Sequence, residues 1–226
     1  SAFAGDGGPN VRLAKKLIHA LFAWILNIYD PCHNLSLFMK DIGALFKKDV
    51  LVLVAGVSNY FSKLNYGTSQ LDAARKDLKI TQGIKTSSET RFSTSHIQSK
   101  AIQTCMPAIH KCIETGTTKK LLPFVSDTPE HYTFMSKLSA FIMLTTAPAN
   151  TILALEGQYI NCAEVFYAWV CMAWSLERLF ETVAYLQTYR ARVIGLYNAR
   201  FAQMMSESSY HIFLFAYFMH PSAFCN

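Results

Sequence analysis

Apolar side chains recur at i, i+3, i+4 and i+7 along most of this chain, the spacing that gives a helix one buried face. Val11, Leu13, Leu17, Ile18, Leu21 and Phe22 make the first such set, with Lys15, Lys16 and His19 on the other side, so both lysines are expected to be exposed. Gly7-Gly8-Pro9-Asn10 spells the turn before it, with Asn10 as the N-cap. The short apolar run 23–29, closed by Asp30-Pro31, predicts a strand, buried on both faces if it belongs to a parallel sheet, and Ala2-Phe3-Ala4 predicts another. Helical spacing resumes over 34–46 and 49–65, stopped by Tyr66-Gly67, and a short amphipathic helix follows at 71–78. Residues 79–95 read as a polar connection with a short strand near 81–84. A helix over 95–115 is closed by Gly116, and 121–127 is a break. Beyond it come helices over 130–145, 147–155, 161–187, 189–206 and 208–219, with Thr145-Thr146-Ala147-Pro148 as one boundary.

The sum is a mainly α protein: a small α/β segment over 1–48, then a large all-helical domain over 49–226. So small an α/β piece cannot bury both faces of a sheet alone. Either further strands belong beside it, or the helical part covers it.

Composition narrows the class. Of 226 residues, 51% are hydrophobic, 13% aromatic and only 16% charged, which excludes a disordered chain. No run of about 18 apolar residues escapes a charge or a polar break, so no membrane span is expected. Six cysteines without a single CxxC argue against a cysteine zinc site and for a reduced, intracellular setting. Cys105 and Cys112 stand two helical turns apart, about 10 Å, too far for an unstrained disulfide. Residues 1–10 have no apolar core of a signal peptide. Charge is uneven: residues 1–120 hold 16 Lys and Arg against 8 Asp and Glu, and the rest hold 5 against 7. A basic half fits a phosphate-backbone partner, and equally a solvated basic face.

Catalytic signatures are sparse. The chain has no GxSxG, HExxH, Walker loop, GxGxxG or DDxxD, and its seven histidines form no HxH or HxxxH pair. Asp6 stands apart. It follows a short strand and precedes Gly-Gly and a helix, where α/β nucleases hold a magnesium-binding carboxylate, and where a turn former also sits. Two-metal phosphoryl transfer needs two or three such carboxylates.

Asp6-Gly7-Gly8-Pro9-Asn10, Asp30-Pro31-Cys32-His33-Asn34-Leu35-Ser36-Leu37 and Glu89-Thr90-Arg91-Phe92-Ser93-Thr94, in that order, resemble the hAT transposases, most closely transposase-derived proteins of fungi. Leu155-Glu156-Gly157-Gln158, Cys162 to Tyr167 and the run Phe213 to Pro221 extend the similarity over nearly the whole chain. The resemblance implies an RNase H-like fold interrupted by a large helical insertion, of which 1–48 is a partial segment and 49–226 the insertion-like part. It implies that Asp6 is the second of three catalytic carboxylates, the first lying upstream of Ser1 and the last downstream of Asn226. Arg91 takes the place of the family's Arg beside the active site, and Phe92 that of a Trp that stacks on an unpaired base. His33 matches the His of a Cys/His segment, with Cys32 beside it and Asp30 where the Cys usually stands.

With one carboxylate of three, the expectation is a transposase-derived, catalytically incomplete protein, with no cofactor unless the missing carboxylates are supplied for magnesium. DNA is the expected partner, held without sequence preference by Lys15, Lys16, Lys47, Lys48, Arg75, Lys76, Arg91 and Phe92, which places the protein in the nucleus. The alternatives are a helical module that self-associates, and an unrelated enzyme holding an apolar small molecule between helices.

Overall fold

A computed structural model describes residues 2–6, 8–84, 93–116, 122–157 and 160–221. Of these, 81% are helical, in nine α-helices beside a small two-stranded parallel sheet at the N-terminus. Strand β1 (Ala2–Gly5) pairs with β2 (Leu26–Tyr29) in register from Ala2 opposite Leu26 to Gly5 opposite Tyr29. Helix α1 (Pro9–Leu21) joins them. Then follow α2 (Pro31–Leu45), α3 (Val52–Lys63), α4 (Asn65–Asp77), α5 (Thr94–Glu114), α6 (Pro129–Leu155), α7 (Cys162–Thr182), α8 (Gln187–Ser206) and α9 (Ile212–Met219).

The chain divides into two compact units that interleave in sequence. One comprises residues 1–41 and 147–226, the other 42–146. The first holds the sheet and a core of aromatic rings. Tyr197 lies edge-on to Phe38, tilted against Trp169 and stacked on Phe201, and its hydroxyl donates to Trp169 O at 2.9 Å. The second is built of helices joined by turns and irregular segments, with no strand among its described residues. Ile42, Phe46, Val54, Phe61, Ile102, Ile109, Leu138 and Phe141 are buried in it.

Four expectations change. Helix α1 starts at Pro9 with Gly8 as N-cap, so Asn10 lies inside its first turn rather than at the cap. Proline is pre-set for a first helical position, and it starts the helix earlier than the Asn. Tyr66-Gly67 does not stop a helix but lies in the first turn of α4. Residues 81–84 form no strand. Helix α6 runs straight through Pro148. Leu144 and Ile152, one turn to either side, are both buried, and such packing outweighs the one backbone bond that proline removes. That helix is also the one among the described residues long and apolar enough to cross a membrane, with mean hydropathy 1.6 over its richest window. Of that window 56% is buried, the profile of a core helix.

Candidate functional site

Parallel strands joined by a helix bring their carboxyl ends to one edge, where α/β proteins place their chemistry. Here that edge carries Asp6 after β1 and Asp30 after β2. Asp6 Oδ1 accepts the Gly8 N–H at 3.0 Å, closing the turn into α1. Asp30 Oδ1 accepts the N–H groups of Cys32 and His33 at 2.9 and 3.1 Å and caps α2, whose first residue is Pro31.

Between these turns lies Lys15. Its side chain is only 8% exposed, and Nζ donates to Gly5 O at 3.0 Å and to Ile28 O at 3.1 Å, fastening the ends of both strands. The ammonium also sits 5.6 Å from the centre of the Tyr29 ring. Burial lowers its pKa, against the upward pull of the Glu207, Asp6 and Asp30 carboxylates, while Arg12 adds to the lowering. The expectation that Lys15 lies exposed is therefore overturned. Lys16, one residue on, is exposed as expected.

The outer edge of β2 is closed by hydroxyls. Ser209 Oγ accepts the Asn27 N–H at 2.9 Å and Ser208 Oγ accepts that of Tyr29 at 3.1 Å. Glu207, the preceding residue, takes Asn27 Nδ2 on its carbonyl and Arg12 on its carboxylate, the latter at 3.1 Å.

Cys32 and His33 stand together in the first turn of α2. Neighbours on a helix point about 100° apart, and burial, with Asp30 and Glu156, pushes the Cys32 thiol up to about 11. His33 instead turns its ring edge-on to Tyr29. Among the described residues no group of three His, Cys, Asp or Glu side chains is placed to hold a metal ion. Asp6, with one oxygen engaged by Gly8, does not by itself make the hard oxygen cage that magnesium needs.

The remaining candidates lie in the unit 42–146. Lys47 and Lys48 are exposed on the π-helical turn before α3, and Lys76 is exposed on α4. Arg75 is spent internally: it pairs with Asp72 at 2.7 Å and donates to Thr81 O at 2.7 Å. Arg91 and Phe92 lie outside the described residues. Residues 42–146 carry 13 Lys and Arg against 7 Asp and Glu, and the rest of the chain 8 against 8. The entire net charge of +6 therefore belongs to this unit. The neutral unit has instead an apolar groove of about 400 Å³ between α6 and α7, lined by Ala154, Leu155, Ile160, Tyr167, Ala168 and Met172 among others.

Set against known proteins, no family model matches the chain, and neither a curated protein nor a solved structure is similar to it.

Proposed function

We propose that this chain derives from a transposase of the hAT type and binds DNA without sequence preference. The motif resemblance supports it, and so does a parallel β1–α1–β2 unit with Asp6 at the carboxyl end of its first strand, the arrangement an RNase H-like remnant would have. The observation that carries DNA binding is the placement of all the net charge on the helical unit 42–146. Its lysines Lys47, Lys48 and Lys76 extend into solvent, where a phosphate backbone can reach them. Arg75, committed to Asp72 and Thr81, acts within the fold, and so does Lys15.

Fluorescence anisotropy with a labelled duplex at several salt concentrations tests this. Neutralising a phosphate releases counterions, so log affinity should fall by about 0.9 per log unit of salt for every phosphate the protein neutralises. Replacing Lys47, Lys48 and Lys76 with Gln should lower that slope by about 0.9 for each phosphate left to its counterions, with scrambled duplexes bound equally well. No binding at low salt, or a slope unchanged in the triple variant, removes the reading.

A further inference from the structure

The groove between α6 and α7 has no part in DNA binding, and all its lining lies within the neutral unit 1–41 and 147–226. At about 400 Å³ it falls within the roughly 300–1,000 Å³ of small-molecule sites. Leu155 and Met172, both buried, form its floor, and Ala154, Ile160, Tyr167 and Ala168 its apolar sides. Along α7 it reaches from Glu164 to Ser175, about 16 Å at 1.5 Å per residue. A hydrocarbon chain of about twelve carbons has that length, because each C–C bond of about 1.5 Å advances it by about 1.25 Å.

Charge selects the head group of the occupant. Among the described residues that line the groove, Glu164 is the one charged side chain. Residues 138–177, which supply both walls, hold three Glu and no Asp, Lys, Arg or His, in a chain whose net charge is +6. Glu177 is paired with Arg190 at 2.9 Å, which leaves Glu156 and Glu164 at the end where α6 stops and α7 starts. The C-terminus of one helix and the N-terminus of the other oppose their dipoles there, so the carboxylates set the sign. Glu164 Oε2 accepts the Asn161 N–H at 2.8 Å, and Oε1 remains to accept from a ligand. The hydroxyls agree with this polarity. Thr151 donates to Ala147 O at 2.9 Å and Ser175 to Cys171 O at 2.8 Å, so each offers the groove a lone pair. The Tyr167 hydroxyl is hydrogen-bonded to the Cys171 thiol, and the Asn150 amide can donate or accept, so it selects neither.

We infer that the groove binds a long-chain primary amine, with its ammonium at Glu164 and its hydrocarbon body laid along α7 toward Ser175. The ammonium donates to Glu164 Oε1, and burial of the chain on Leu155 and Met172 supplies the affinity. A fatty carboxylate of equal length buries the same surface but meets Glu164 with like charge.

Isothermal titration calorimetry on the 226-residue chain tests this with octyl-, decyl- and dodecylammonium chloride and with dodecanoate, all below their micelle concentrations. Dodecylammonium should bind saturably, one per chain, and each methylene removed should weaken binding by about two- to fourfold. Dodecanoate should bind about tenfold more weakly or not at all. Glu164→Gln keeps a side chain that can close the box with Asn161, and it should weaken dodecylammonium by about fivefold while leaving dodecanoate no weaker. Ala168→Phe fills the groove and should abolish amine binding with helix content unchanged. Absence of saturable binding by dodecylammonium overturns the inference, as does amine affinity that ignores Glu164→Gln or Ala168→Phe. Equal affinity for dodecanoate also overturns it, and that comparison needs no variant.

Discussion

Lys15 sets two forces against each other. Its ammonium gains two bonds to strand carbonyls, yet burial lowers its pKa despite three carboxylates nearby, so desolvation outweighs the attraction. Lys15→Met, which keeps the stem and drops the charge, should therefore leave stability at pH 7 unchanged within about 1 kcal/mol or raise it. Urea midpoints decide, and a larger loss would mean that the two bonds dominate. The linkage has a definite sign: with the folded pKa below 10.5, the unfolded chain holds the proton more tightly, and this group makes stability rise with pH up to that value. His110 works on the acid side. Its Nε2 is buried without a hydrogen-bond partner among the described residues, and its pKa is lowered by burial first and by neighbouring His131 second, against Glu114 and Asp127. As pH falls below about 6.5 the unfolded chain takes up the proton first and stability is lost. His110→Leu should flatten this acid limb in denaturation series between pH 7 and 5. Little of the strand-end site was legible residue by residue. Apolar letters put Leu13, Leu17 and Leu21 in the core, yet at 100° per residue Lys15 falls about 20° from Phe22 and 40° from Val11, on the same side of the helix as both. That arc is the one facing the sheet, and a lysine within it was the available signal.

Caps divide the elements into those that announce themselves and those that do not. Asn161 accepts the N–H groups of Ala163 and Glu164 at 2.9 and 3.0 Å, and Glu164 returns a bond to the Asn161 N–H at 2.8 Å. This reciprocal box is written in the sequence as N-x-x-E, and α7 begins where that pattern puts it. Asn161→Ala should lower stability by about 1 kcal/mol, seen as a lower Tm with unchanged helix content. Gly116 likewise closes α5 as its position predicts, in the left-handed region at φ 72°. The starts of α1 and α4 and the continuation of α6 through Pro148 were not legible, because each depends on packing that local letters do not encode.

At the scale of the molecule, helix content was the readable quantity. Periodicity predicted a mainly helical chain with a small sheet at its start, and a circular-dichroism spectrum should show a helix-dominated minimum with no separate sheet component. The distribution of charge became informative only through the fold. Cut in sequence at residue 120, the chain reads as a basic half and a faintly acidic one; partitioned by its compact units, it reads as +6 and zero. A linear reading could not draw that line, because one unit is assembled from both ends of the chain.

That interleaving puts a clock on synthesis. The Asn27 amide waits for the Ser209 hydroxyl, 182 residues later, and the Tyr29 amide waits 179 for Ser208. At about 5–20 residues per second, the β2 edge stays open on the ribosome for roughly 10–35 s, while residues 42–146 can already collapse. Throughout that interval the first forty residues are a nascent client with an unguarded strand, whose hydroxyl partners emerge only after residues 42–146.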